Sequence, residues 1–458
     1  MKLSASDKQT DRKDIFENVP VPRAMLTLAV PTVISQLITL LYNLADTWFI
    51  GRTNNPYMVG ACSLCFTIFM MDLVMANLFG TGGGTLISRL LGRRDHAEAS
   101  RVCAFSLWLS AAAALLFSLL CFLFRDPFLT FLGASSNTLP YARQYIFYVI
   151  ILGSLPCVLS NTMSSILRSI GYARYASFGL AMGCLLNIGL DPLFMFVLLP
   201  DGMQVTGAAV ATFLSNAAAL VYFILVFKKL EGHTVLSADL RAGLPARDSA
   251  LSIFSVGIPA ALSTLLYDLS NIVIYRLAAG HGDIQLAAMG IVLKAERLPS
   301  NIGIGISIGM VPLIAYNYAA KNHQRMIEIF RFGRRCGLVI AFVCLIAYSI
   351  FAPQIVQAFI EEPETVRYGT AFLRVRCLAP PLMFLCYSSV HFMQALGYGK
   401  QSLLMAVVRQ LVFNIPMLIL LNALMGVMGI AWTQVLADIP TILFSYWLCT
   451  RVRKREGF

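Results

Sequence analysis

Residues 26–51 read LTLAVPTVISQLITLLYNLADTWFIG. A bilayer crossing takes about 20 predominantly apolar residues, so this run is long enough to span one. Pro31 lies near its start and one acid, Asp46, near its end. An isolated carboxylate within an apolar span is costly, and by default it marks a functional site. The run also contains TLLYNL at Thr39–Leu44, which returns as TLLYDL at Thr264–Leu269, a shift of 225 residues. The reading of this stretch therefore sets two questions: how often the chain crosses a membrane, and whether it builds a site around Asp46.

Composition answers the first. Of 458 residues, 58% are hydrophobic and 13% charged, against roughly 25% charged in soluble domains, and mean hydropathy is +0.73. The chain reads as an all-α polytopic membrane protein. Twelve spans are expected, at 24–52, 57–89, 98–124, 139–170, 174–199, 206–229, 250–278, 285–319, 330–351, 366–396, 400–423 and 427–449. The net charge of +12 comes from short basic clusters between apolar runs. That pattern fits membrane orientation rather than nucleic acid binding. Lys2, Lys8, Arg12 and Lys13, the Arg89–Arg101 group, Lys228 and Lys229, the Lys321–Arg335 group and the Arg451–Arg455 tail all fall on one face. Both termini are expected in the cytoplasm, with the protein in an inner or plasma membrane. The polar N-terminus lacks the apolar core of a cleaved signal peptide. Cys62 and Cys65 form a CxxC without a second pair nearby, so packing thiols are expected rather than zinc or redox chemistry.

The repeat answers more. LISRLLGRRDH from Leu86 aligns with LIAYNYAAKNH from Leu313 at a shift of 227, and IGYAR from Ile170 with LGYGK from Leu396 at 226. So constant a shift implies two six-helix lobes. Equivalent loops fall on the same side, which makes the repeats parallel, a transporter pattern. The expected layout is a cytoplasmic segment 1–23, a first lobe 24–230, a cytoplasmic linker 231–248, a second lobe 249–450 and a basic tail 451–458.

Polar residues inside the spans mark the site. Asp46 falls in the outer half of the first span. Asn187 and Asp191 share a helix face in the fifth at i, i+4 spacing, and Thr212 lies at similar depth in the sixth. Two carboxylates, an amide and a hydroxyl at one level form hard oxygen ligands suited to Na⁺ or to a transferable proton. The competing reading has Asp191-Pro192 break a helix and Asp46 cap one. By the repeat, Asp46 corresponds to Asn271, Asn43 to Asp268, Asn187 to Asn414 and Asp191 to Leu418. The paired acids therefore occur only in the first half, and Asp268 is the second lobe's candidate. Lys294, Glu296 and Arg297 in the eighth span are candidates for a substrate cavity, the competing reading being an ion-pair network that locks helices. Tyr42 and Tyr267 could line an apolar, cation-friendly cavity, and Arg409 with Asp438 could pair structurally. The Gly80–Gly84 run has no following GK[ST], and no nucleotide-binding domain is visible. Helix packing is its expected use. No catalytic set of nucleophile, base and metal-spaced ligands appears, so no enzyme activity and no cofactor are expected.

These residues taken together resemble the multidrug and toxic compound extrusion (MATE) family, in its bacterial multidrug efflux branch. The resemblance rests on Pro31 followed by Asp46, on NLADTWFIG, LISRLLGRRD, ILRSIGYAR and IAYNYAAKN, and on Asn187-x-x-x-Asp191. It runs from about Ala24 to Arg451. It implies twelve helices in two lobes that open alternately inward and outward. It implies export of amphipathic, mainly cationic compounds in exchange for Na⁺ or H⁺. The coupling site it implies is Asp46, Asn187 and Asp191, with Thr212 (or Thr206) and Asn161. Expected partners are organic cations, the coupling cation and membrane lipid, with a monomer as the default state. The runner-up is a lipid-linked precursor flippase of the same broader superfamily, a type that usually carries extra helices and a strongly basic central cavity.

Overall fold

The computed structural model describes residues 14–53, 55–200, 202–239, 241 and 243–458. Lys2, Lys8, Arg12 and Lys13 of the N-terminal segment lie outside the described residues. The described chain is helical. The twelve long helices are α1 (Val21–Gly51), α2 (Pro56–Gly92), α3 (His96–Leu123), α4 (Leu139–Leu152 with Ser154–Ser169), α5 (Ala173–Leu198), α6 (Gln204–Leu230), α7 (Arg247–Ala279), α8 (Asp283–Ala319), α9 (His323–Ile350), α10 (Pro363–Arg376 with Ala379–Leu396), α11 (Gly399–Met425) and α12 (Val427–Glu456). Among the described residues, eleven of these are long and apolar enough to cross a membrane, counting the bent pairs α4 and α10 as one span each. The exception is α9. Its 28 residues suffice for a crossing, but Arg325, Arg331, Arg334 and Arg335 make its first half polar. Its second half presents Val339, Phe342, Val343 and Ile346 outward, and α3 does the same with Leu115, Leu116, Leu119 and Phe122. Apolar surface on this scale belongs in lipid.

Local chemistry sets the helix ends and bends. Pro56 opens α2, and Asn55 Oδ1 accepts from the Tyr57 and Met58 N–H groups, filling donors that a first turn leaves unpaired. In α4 the chain widens to a π-helix over Phe147–Leu152 and turns by 45° at Gly153. A Cβ at Gly153 would fall against the Val149 carbonyl. In α10 the bend is 46°, where Pro380 and Pro381 supply no N–H to continue the ladder.

The duplication is visible in backbone detail. Arg94 and Lys321, 227 residues apart, are the two non-glycine residues with positive φ among the described residues, at 63° and 60°. Each follows a long helix and precedes a side-chain cap. Asp95 accepts from the Glu98 N–H at 3.1 Å, and Asn322 accepts from the Arg325 N–H at 3.2 Å. The Asp95 N–H reaches the Leu90 carbonyl at 2.9 Å, as the Asn322 N–H reaches Asn317 at 2.9 Å. Left-handed backbone is uncommon outside glycine, so its repetition in one hydrogen-bonded setting is a structural signature of duplication.

Two compact units result. One holds the described residues up to Asn18 and Ile34–Gly257, the other Val19–Val33 and Ile258–Phe458. The sequence halves 24–230 and 249–450 follow the duplication; compactness divides α1 and α7 internally instead, within three residues of Pro31 and Pro259. The first turns of α7 belong to the first unit. Gly257 there stacks on the Leu78 backbone, Gly82 stacks on Ile253 and Gly257, and Arg89 donates to Ser252 Oγ at 3.0 Å. The first turns of α1 belong to the second unit, where Gly309 and Gly305 of α8 leave room for Ala29 and Val33. The first unit's core surrounds Ile87, Ile166, Leu167 and Phe223, with a second cluster around Ile68, Leu129, Ile146 and Met195. The other unit's core centres on Met289, Val292, Phe372 and Leu418. The linker after α6 also packs on the first unit. Leu236 is buried, Trp108 Nε1 donates to the Ala238 carbonyl at 2.8 Å, and the Glu98 carboxylate accepts from the Ala246 N–H at 2.7 Å.

Candidate functional site

Three helices of the first unit converge on one polar cluster. α1 supplies Tyr42 and Asp46, one turn apart on a single face. α5 supplies Asn187 and Asp191 at the same spacing, and α6 supplies Thr212. Asn187, Asp191 and Thr212 are buried. Asn187 Nδ2 donates to Thr212 Oγ1 at 3.3 Å. The Tyr42 hydroxyl faces Thr212 and lies within electrostatic reach of Asp46 and Asp191. Asp191 in turn sits beside Asn187 and within reach of Asp46. Tyr145 of α4 closes another side, next to Asp46 and Tyr42.

The cluster is under-bonded. Asp46 Oδ1, both carboxylate oxygens of Asp191, Asn187 Oδ1 and, one turn from Thr212, Ser215 Oγ are buried without a hydrogen-bond partner. Buried polar atoms in native proteins are nearly always paired, and leaving one unpaired costs about 1–3 kcal/mol. Five such oxygens on three helices form a preorganised acceptor set. Neither residue acts as a helix breaker or cap. Asp46 lies five residues before the end of α1, and α5 continues through Pro192 into a π-helical turn at Phe194–Leu198.

The remaining sequence candidates fall in different places. Thr206 donates to Gln144 Oε1 at 2.7 Å, so Thr212 is the threonine beside Asn187. Asn161 donates to the Cys157 carbonyl of its own helix at 2.9 Å, and among the described residues no hydrogen bond joins it to Asp46, Asn187 or Asp191. In the second unit Asp268 faces Arg297, and Tyr267 lies near Asn271, Glu296, Arg297 and Arg376. The Lys294, Glu296 and Arg297 group divides. Lys294 and Arg297 are exposed, while Glu296 turns inward to Arg376, with Nη2 at 2.6 Å and Nε at 2.7 Å from Oε2. Glu296 is therefore paired across helices with Arg376 rather than with Lys294 or Arg297, while Asp268 is the acid that faces Arg297. Arg409 and Asp438 do pair, at 2.8 Å and 3.3 Å. Gln434 donates to Asp438 at 2.9 Å, Asn414 to Gln434 at 3.0 Å and Ser270 to Asn414 at 2.8 Å. Asn414, the repeat mate of Asn187, is thus committed to protein partners where Asn187 keeps a free oxygen.

Sequence reasoning passed over Asp72 of α2. Its side chain is fully buried, and Oδ1 accepts from Ser154 Oγ at 2.7 Å while Oδ2 has no partner. Cys121 and Cys157 flank it. Ser154 is the first residue after the α4 bend, so the break at Gly153 is what delivers this hydroxyl. The signal was the one that flagged Asp46, a lone acid in the apolar run FMMDLVMANLFG. All eleven cysteines are free thiols, none exposed. Among the described residues no group of three or more His, Cys, Asp or Glu could hold a metal ion.

The MatE family model matches residues 31–193 and 259–420, one match in each half. A Staphylococcus aureus protein named Multidrug export protein MepA is 32% identical over 440 residues, covering 96% of both chains. Its namesake from Staphylococcus haemolyticus is 31% identical with the same coverage. Among solved structures, a MATE in the straight conformation superposes with a TM-score of 0.91 at 23% identity, over 97% of this chain and 99% of that one. With a family match in both halves and relatives that span nearly the whole length, the chain belongs to the MatE family of membrane transporters.

Proposed function

We propose that this protein is a secondary antiporter of the cell membrane. It exports amphipathic, mainly cationic drugs in exchange for Na⁺ or H⁺, with both termini in the cytoplasm. The relatives named as multidrug export proteins support the direction and cargo class. The observation that carries the exchange reading is the set of unpartnered oxygens on Asp46, Asn187 and Asp191. A carboxylate buried in a span needs a counter-cation, and among the described residues no ion pair reaches either acid. A Na⁺ ion or a proton arriving from outside meets that need. Asp46 and Asp191 give the charge, Asn187 and Thr212 give neutral oxygen ligands, and Tyr42 and Tyr145 close the site from water. The ion can drive a cycle only through its unequal affinity for two states. Because Asp46 sits on α1 and Asp191 on α5, bringing both acids onto one cation stabilises whichever arrangement of α1 and α5 holds them together. Pro31 supplies a weak point in α1 where that helix can respond.

The test is dye efflux in inverted vesicles with Na⁺ and pH gradients imposed separately. One gradient should energise wild-type transport, and Asp46→Asn should abolish it while the protein elutes as a folded species. Full efflux by Asp46→Asn would overturn the assignment of the coupling site.

A further inference from the structure

The second unit carries a cluster of positive charge that the exchange site does not use. A cavity of about 150 Å³ is lined by Ile327, Phe330, Arg331 and Arg334 of α9, Phe392 of α10 and Arg453 of α12. Arg331 and Arg334 share a helix face at i, i+3 spacing. Phe330 and Phe392 stack at 4.3 Å to form an apolar wall, and the Arg334 guanidinium lies over Phe330 at 5.2 Å from the ring centre. Three like charges around one cavity repel, yet none of the three arginines forms an ion pair among the described residues. The ionisable groups around Arg334 are Cys386, Cys449 and Tyr446, and Cys449 also adjoins Arg453; none is an acid. Arg453 Nε is buried with no hydrogen-bond partner.

Depth narrows the occupant. On α12, Tyr446 and Trp447 are exposed, and Arg451 covers the Trp447 ring at 5.4 Å. Amphipathic rings next to basic residues mark the membrane–water boundary. On α9 the outward apolar stretch starts at Val339, five residues past Arg334, or about 7.5 Å of helix rise. The cavity thus lies between helices at headgroup level, with its three arginines beside a wall formed by Phe330 and Phe392. We propose that Arg331, Arg334 and Arg453 bind the phosphate of an anionic membrane lipid. Guanidinium forks match phosphate oxygens bidentately, and basic pockets between spans are a known way of holding anionic headgroups. The binding stands apart from the identity of the exchanged cation.

Native mass spectrometry of delipidated protein, titrated with phosphatidylglycerol or phosphatidylcholine, tests this. Wild type should retain one phosphatidylglycerol at least tenfold more tightly than phosphatidylcholine. Arg334→Gln/Arg453→Gln should lose that preference, whereas Arg455→Gln, on the exposed tail, should keep it. If the double variant does not fold, Arg453→Lys keeps the charge but not the fork, and should weaken retention severalfold. Equal retention of the two lipids by wild type, a folded double variant that still prefers phosphatidylglycerol, or, where that variant does not fold, an unchanged preference in Arg453→Lys would overturn the site. Loss of phosphatidylglycerol retention in the presence of millimolar inorganic phosphate alone would overturn the lipid as the source of the phosphate.

Discussion

Removing Arg376 separates two readings of the eighth-span charges. Its Nη2 and Nε both approach Glu296 Oε2, at 2.6 Å and 2.7 Å, with side chains 3% and 7% exposed. At such a distance the attraction is about 6 kcal/mol for an effective dielectric of about 20. Desolvation of both ions offsets most of that gain. The fit is also imperfect, since Glu296 Oε1 and Arg376 Nη1 have no partner. The net value of the pair is therefore small, but breaking it from one side is expensive. Arg376→Leu leaves a buried carboxylate and should cost about 3–5 kcal/mol. At about 2–4 °C per kcal/mol for a unit of this size, the unfolding midpoint should fall by roughly 6–20 °C. Glu296→Leu/Arg376→Leu removes both charges and should recover at least half of that loss. The protein carries its own reporter, because its eleven unexposed thiols become accessible to a thiol-reactive dye on unfolding. The folded double variant should export dye at the wild-type rate. If it is as unstable as the single variant, the pair is not the coupled lock described. If it is stable but no longer transports, Glu296 and Arg376 contact substrate and the structural reading is refuted.

Two further perturbations probe the first unit. Asp72→Asn keeps an acceptor for Ser154 and removes the ionisable oxygen. Its stability should stay within about 1 kcal/mol of wild type, and a larger loss in the same thiol assay would mean that the carboxylate is held charged. Gly257→Leu drives a side chain into the Leu78 backbone and should cost about 3 kcal/mol or more. An unchanged midpoint would show that the start of α7 does not pack on α2 as described.

Which features were legible from sequence follows from what each depends on. Spans depend on local hydrophobicity, and eleven of the twelve expected ones return among the described residues as helices long and apolar enough to cross a membrane; α9 shows the limit, because its length and its outward apolar half qualify while its arginines do not. The repeat was readable from the 225–227 shift, and the matched caps at Asp95 and Asn322 carry it into the backbone. The partition of α1 and α7 was not readable. A hydrophobic helix advertises that it will be buried, but not against which neighbour, and Pro31 and Pro259 signal only a weak point. The Glu296–Arg376 pair was hidden for a similar reason. The two residues are 80 positions apart, and nothing in the eighth span points to the tenth.

The acids of this protein differ chiefly in how completely the protein itself satisfies them, and that difference separates scaffold from site. Asp438 accepts three hydrogen bonds, from Arg409 and Gln434, on both oxygens, so most of its acceptor capacity is already filled from within the protein. Glu296 is held through one oxygen by Arg376. An acid so occupied lowers the cost of burial permanently, and it gains little from an arriving cation. Asp191 sits at the other extreme: it is fully buried, with neither oxygen bonded, and near a second acid whose Oδ1 is also unpartnered. Its burial cost remains open, so under the proposed exchange a cation bound there would recover more free energy than at an acid already paired. For an exchanger that open cost is useful, because the ion must bind strongly in one state and leave in the other. Asp72, bonded on one oxygen and open on the other, lies between these cases. Whether Asp72→Asn alters efflux while sparing the midpoint decides on which side of that divide it belongs.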